Sequence, residues 1–167
     1  MKNLKDILLL GNPLLYQLSQ PVNESEFREI SGWVSDLHQV MMEIRGKYHF
    51  GRGIAAPQLG IMKRLVYLEI GRPVILINPE FTWMSEEMFE LWDDCMSFPN
   101  LLVRVRRHKS VRLNYLDENW QQQEWTVQDD LSELLQHELD HLDGILATMR
   151  AIDGKSFRWK KTDQAFS

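Results

Sequence analysis

The chain has 167 residues, 44% hydrophobic and 26% charged, proportions that exclude the disordered, collagen-like and disulfide-dense classes and fit one soluble domain spanning residues 1–167. With 19 Lys and Arg against 24 Asp and Glu, the net charge of −5 argues against a general binder of nucleic acid or anionic membranes. The longest aliphatic run near the start, Ile7 to Leu10, is far short of the roughly 20 residues of a membrane helix, so a cytoplasmic protein is expected.

In chain order, an extended start over Ile7 to Leu10 leads into a Gly11-Asn12-Pro13 turn. Phe27, Ile30, Val34, Leu37, Met41 and Ile44 then recur at steps of three and four, which predicts an amphipathic helix capped by Ser25 and ended by Gly46. His38 lies one position past the apolar stripe and reads as a solvated or core-edge histidine. From Gly51 to Gly60 small residues dominate, so that another backbone or a ligand can approach closely. Arg64 to Ile70 and Val74 to Asn78 predict a hairpin closed by Pro79. Further strands are expected at Val103 to Val105, Ser110 to Tyr115 and Glu124 to Val127, with a turn at Asp117-Glu118-Asn119. Asp129 or Asp130 caps a second helix that carries Leu131, Leu134, Leu135, His137, His141 and Leu142 and stops at Gly144. The tail from Lys155 reads as a solvated, basic end.

His137-Glu138-Leu139-Asp140-His141 is the chemically informative segment. Four residues along a helix bring both imidazoles to one face, close enough to share a metal ion, with Glu138 beside it. A carboxylate there can take a proton from water and hand it to a leaving nitrogen, which amide hydrolysis needs. From this composition the pattern arises by chance in about one such sequence in a hundred. A catalytic site of this kind takes three protein ligands. Gly144 continues the longer protease form of the motif, but Ala147 stands where its last histidine belongs, and no His or Glu follows His141. That leaves Asp153 downstream or an upstream residue. The single cysteine, Cys95, in polar and turn-prone surroundings, leads over His108 and His49. A thiolate with two imidazoles suits Zn(II) or Fe(II).

Three ordered segments, Gly51-Arg52-Gly53-Ile54-Ala55-Ala56-Pro57-Gln58, Cys95-Met96-Ser97 and Gln136-His137-Glu138-Leu139-Asp140-His141-Leu142, resemble the motifs of the peptide deformylases. Gly11-Asn12-Pro13, Gln20-Pro21-Val22 and Leu76-Ile77-Asn78-Pro79 extend the likeness over most of the chain. The resemblance implies an α+β fold with antiparallel strands wrapped around the histidine-bearing helix, and one metal held by Cys95, His137 and His141. The ion implied as native is Fe(II), with Zn(II), Ni(II) or Co(II) as replacements. It implies removal of the N-terminal formyl group from formyl-methionyl peptides, with nascent chains at the ribosome as partners, no nucleic acid or membrane contacted, and a monomer. Glu138 would be the acid and base, and the Gln58 side chain and Met96 N–H would stabilise the oxyanion. Arg52, Gly53, Leu91, Asp94, Glu133 and Leu134 would bind substrate.

The second motif departs from the family pattern. Asp93-Asp94 stands where Glu-Gly is usual, so that Asp93 keeps the charge on a shorter arm, and Arg52 replaces an apolar residue between the two glycines. Arg52 and Asp94 are expected to face each other across the groove. Asp130 and Glu133 lie on or near the His137 face of the helix, where the resemblance implies an apolar pocket for methionine. Either these carboxylates alter substrate choice, or they cap the helix or pair with Arg52 or another arginine and leave it untouched. A related N-acyl amidase and a weakly active, peptide-binding paralogue are the alternative functions.

Overall fold

A computed structural model describes residues 1–160. Helix α1 (Phe27–Tyr48) precedes strands β1 (Gly53–Ala55), β2 (Leu65–Glu69), β3 (Pro73–Met84), β4 (Met88–Asp93), β5 (Leu101–His108), β6 (Ser110–Leu116) and β7 (Gln122–Gln128), then helix α2 (Asp129–Leu142) and strand β8 (Phe157–Trp159). The strands form a five-stranded sheet in the order β1-β2-β3-β6-β7 and a three-stranded sheet β4-β5-β8. Every pairing between them is antiparallel. The α+β class expected from sequence is the one observed.

Strand alternation divides the core between the helices. Ile54, Leu65, Tyr67 and Ile77 pack with Ile30, Leu37, Val40, Met41 and Ile44 of α1. Their neighbours Ala55, Val66, Leu68 and Leu76 turn to the other face, where Val111, Leu113 and Val127 join Leu134, Leu135, Leu139 and Leu142 of α2. Strand β5 also contacts α2, so this helix lies between the two sheets and every residue from Ser132 to Leu142 is buried.

Several boundaries differ from the sequence reading. Asn23 opens a 3-10 turn, Glu24–Glu26, in which Glu26 accepts from the Asn23 backbone N–H at 2.8 Å, and α1 begins only at Phe27. Gly46 does not end it. Tyr48 and Phe50 pack on the α1 core, which favours one further turn, and His49 takes the left-handed conformation at φ 59° that closes the helix. Strand β3 runs past Pro79, because a register shift between Ile77 and Glu80 puts the proline where the ladder needs no N–H donor. Helix α2 starts at Asp129 with Gln128 as its cap. Met88–Asp93 and Phe157–Trp159, unassigned from sequence, become strands by pairing with the two sides of β5. The tail therefore does not start free at Lys155, and its last part, 161–167, lies outside the described residues.

Gly144 ends α2 as expected, at φ 70°, where an added Cβ would sit 2.6 Å from the Tyr16 carbonyl. Gly144→Ala should therefore lower stability by about 2–3 kcal/mol in urea denaturation; an unchanged midpoint would contradict the tight approach of these two segments.

Candidate active site

Cys95, in the turn after β4, meets His137 and His141 of α2. Its Sγ lies 3.3 Å from His141 Nε2, which lies 3.2 Å from His137 Nε2. All three side chains are buried, and their ligand atoms fall within 4.8 Å of one another. The other candidates for the third position are engaged elsewhere: His49 ends α1, His108 Nδ1 is 2.6 Å from the Ser85 carbonyl, and Asp153 bonds Ser156 and Lys155.

The extended start pins the loops on either side of the trio. Leu8 N–H donates to the Gln58 carbonyl at 2.8 Å and Leu10 N–H to the Ser97 carbonyl at 2.9 Å. Gln58, fully buried in the 3-10 turn Ala56–Leu59, accepts from Ala55 N–H at 3.0 Å and donates through Nε2 to Ser97 Oγ at 3.1 Å. Its amide nitrogen is then 3.6 Å from Cys95 Sγ. The glycines of this segment permit close approach: a Cβ on Gly51 would meet Met96 at 2.6 Å, and one on Gly53 would meet Leu68 at 2.8 Å and Glu138 at 3.0 Å.

A line of charges orients the trio from behind. Asp93 Oδ2 lies 2.8 Å from His137 Nδ1, and Arg107 Nη2 donates to the same oxygen at 3.4 Å. Arg107 Nη1 donates to Asp140 at 2.6 Å, and Asp140 also accepts from Arg150 at 2.8 Å. The shorter arm of Asp93 thus still reaches the imidazole, leaving Nε2 turned towards Cys95 and His141. Burial works against charge on both partners, but their mutual attraction prevails: Asp93 is held below the usual carboxylate range and His137 well above the usual imidazole range. Burial and the neighbouring His137 push His141 well below it. The line from Asp93 to Arg150 was not assigned a role from sequence; its one signal was the acidic residue two places before the cysteine.

Glu138 is buried beside these groups, and its Oε2 has no hydrogen-bond partner among the described residues. Burial raises its pKa to about 7, with His137 lowering it and Asp93 raising it further. A carboxyl poised there can both accept and release a proton near neutrality.

Arg52, Gly53, Gln58, Leu91, Asp94, Cys95, Met96, Glu133, Leu134, His137 and Glu138 all line one cavity of about 390 Å³. His141 is buried and does not line it. Phe50 and Trp92, which sequence reasoning passed over, line it too. Arg52 and Asp94 do not face each other as an ion pair. Arg52 donates to Asp130 at 3.0 Å and to Glu133, so both carboxylates pair with this arginine. Asp94 pairs with Lys160 at 2.9 Å, whose ammonium also lies 3.4 Å from the Phe50 ring centroid. A larger cavity of about 690 Å³, lined by Arg64, Phe81 and Arg107, takes in none of the trio; the convergent polar groups single out the smaller one.

Gly53→Ala should push on Glu138 and Leu68 together and cost about 1–3 kcal/mol of stability in denaturant titration. A stability equal to the parent's would mean that β1 does not press on Glu138 as closely as described.

The family model for polypeptide deformylase matches residues 4–157. A relative, peptide deformylase 2 of Clostridium perfringens, is 34% identical over 150 residues, covering 88% of this chain and 92% of its own. Among solved structures, the fold is similar to a peptide deformylase from Synechococcus elongatus in complex with actinonin, at TM-score 0.82 and 29% identity over 89% of this chain and 79% of that one. A peptide deformylase from Thermotoga maritima gives TM-score 0.79 and 28% identity over 88% of this chain and 97% of that one. With a matching model over nearly its whole length and this agreement in fold, the chain belongs to the polypeptide deformylase family.

Proposed function

We propose that the chain is a metal-dependent hydrolase that removes the N-terminal formyl group from peptides, formyl-methionyl peptides among them, and releases formate. The observation that carries this reading is the buried trio Cys95, His137 and His141, opening into a cavity, with Glu138 at its side whose Oε2 has no partner among the described residues, in a chain of the deformylase family. The whole chain, residues 1–167, is taken as one catalytic domain.

The residues fit a cation. Bonds of about 2.0–2.3 Å in tetrahedral array place ligand atoms about 3.3–3.7 Å apart, close to the separations of 3.2 and 3.3 Å found here. One thiolate and two imidazoles would hold Fe(II), the ion this reading takes as native, and also Zn(II), Ni(II) or Co(II). Such an ion supplies Lewis acidity that polarises a carbonyl and lowers the pKa of water.

Glu138 takes a proton from the attacking water and passes it to the amine nitrogen as the C–N bond breaks, leaving formate and a free N-terminus. Gln58 Nε2, braced by Ser97, and the Met96 N–H donate to the formyl oxygen as it gains charge. Asp93 keeps His137 in one orientation. Gly53 gives the substrate backbone room beside Glu138, and Leu91 and Leu134 supply apolar wall. The partners in this reading are N-formyl peptides, nascent chains at the ribosome included, met in the cytoplasm by a monomer, without direct contact to nucleic acid or membrane. Among the described residues, no helix is long and apolar enough to cross a membrane.

Glu138→Gln keeps shape and removes the proton acceptor; it should retain the metal and lose about 10²–10⁴-fold in kcat for formate release from a formyl-Met peptide. Near-parental turnover with metal bound would remove Glu138 from the chemistry. Asp93→Asn should weaken metal binding about 10–100-fold in chelator competition, and unaltered affinity would show that the carboxylate does not brace His137.

A further inference from the structure

One wall of the cavity is ionic. Arg52 bridges Asp130 and Glu133, but the two carboxylates sit differently: the Asp130 side chain is 77% exposed and that of Glu133 11%. Glu133 is therefore the carboxylate presented inside. Arg52 engages its Oε1, whereas its Oε2 receives no donor among the described residues and is not among the atoms sealed from solvent. The other aspartates at the cavity are matched, Asp93 by His137 and Arg107 and Asp94 by Lys160. Glu133 also stands four residues before His137 on α2, just over one helical turn or about 6 Å along the axis. That is within reach of a side chain of three or four carbons on the residue next to the reacting amide.

Resting on the deformylase reading, we propose that Glu133 is a specificity-determining residue that accepts a hydrogen bond from the first side chain of the substrate. The preferred substrates are N-formyl peptides whose first side chain ends in a donor, an amide or an ammonium. A thioether or alkyl group laid against Oε2 strips water from a carboxylate and returns nothing, whereas an amide or ammonium replaces the lost bond. Arg52 holds Oε1 and so fixes the direction in which Oε2 accepts. Leu134, next along the helix, and Leu91 receive the methylenes. Discrimination thus comes both from the bond made to the right side chain and from the desolvated carboxylate left facing the wrong one.

The test is kcat/KM for formate release by the metal-loaded protein on formyl-Gln-Ala-Ser, formyl-Lys-Ala-Ser, formyl-Met-Ala-Ser and formyl-norleucyl-Ala-Ser. The glutamine and lysine peptides should exceed the other two by about tenfold or more. In the double variant Arg52→Ile/Glu133→Ile, which removes both charges together, methionine and norleucine should lead. Glu133→Gln, which keeps the volume, should abolish the advantage of lysine over norleucine and serves if the double variant does not fold. Calorimetric binding of the products Gln-Ala-Ser and Met-Ala-Ser should rank the same way independently of turnover. The proposal is overturned if the parent favours methionine or norleucine, if both variants leave the order unchanged, or if the two product peptides bind equally. If the metal-loaded parent releases formate from none of the four, the deformylase reading fails, and the binding order alone decides whether Glu133 selects the side chain.

Discussion

A polar helix is buried between two sheets, and the rest of the structure answers to that constraint. From Ser132 to Leu142, α2 is out of water, yet it carries Glu133, Gln136, His137, Glu138, Asp140 and His141. A buried polar group without a partner costs about 1–3 kcal/mol and a buried charge more, so each must be met from a neighbouring element. Gln136 is satisfied by the backbone of His108, accepting from its N–H and donating to its carbonyl at 2.9 Å each. Asp140 takes two arginines, His137 takes Asp93, and Glu133 takes Arg52. Among the described residues, Glu138 Oε2 and His141 Nδ1 are the side-chain atoms of this helix sealed in without a partner.

That pattern explains the architecture better than stability does. Replacing a buried ion pair by well-packed apolar groups is often neutral or stabilising, so the line Arg150–Asp140–Arg107–Asp93–His137 is poorly accounted for as a stabilising device. It does fix the orientation of one imidazole to within the play of its hydrogen bonds, and that orientation sets what Nε2 faces. Strands β4 and β5 are built to the same end: Asp93, the last residue of β4, pairs with Val103, and Arg107 lies four positions further along β5 on the same face, so that its long side chain reaches back to Asp93 at 3.4 Å. Leu8 and Leu10 do for Gln58 and Ser97 with two backbone hydrogen bonds what the charges do for His137.

The sequence disclosed those parts of the site whose geometry is local. Helical spacing places His137 and His141 on one face whatever surrounds the helix, and Gly144 is demanded by a left-handed backbone that presses on Tyr16. Cys95 needed more, because nothing local says which distant residue completes a trio; its polar flanks and the resemblance carried it. Properties that depend on pairing across the chain were hidden. Met88–Asp93 has too little β-branched character to read as a strand and becomes one only against β5. Pro79 looked like a terminator and proved to sit in a bulge. Arg52 and Asp94 were expected to face each other across the groove, and the pairing of Arg52 with Asp130 and Glu133 was one of the alternatives the helix spacing offered, but nothing pointed to Lys160, the remote residue that meets Asp94. Charges seek the nearest compensating group in space, and spacing along the chain does not reveal it.

The central claim is that Cys95, His137 and His141 are brought together to hold one metal ion. X-ray absorption at the metal edge of the purified protein tests it most directly. The account predicts one metal per chain with a single sulfur neighbour at about 2.3 Å and two imidazole nitrogens at about 2.0–2.1 Å. A coordination shell of nitrogen and oxygen alone, or one unchanged in Cys95→Ala, would contradict it.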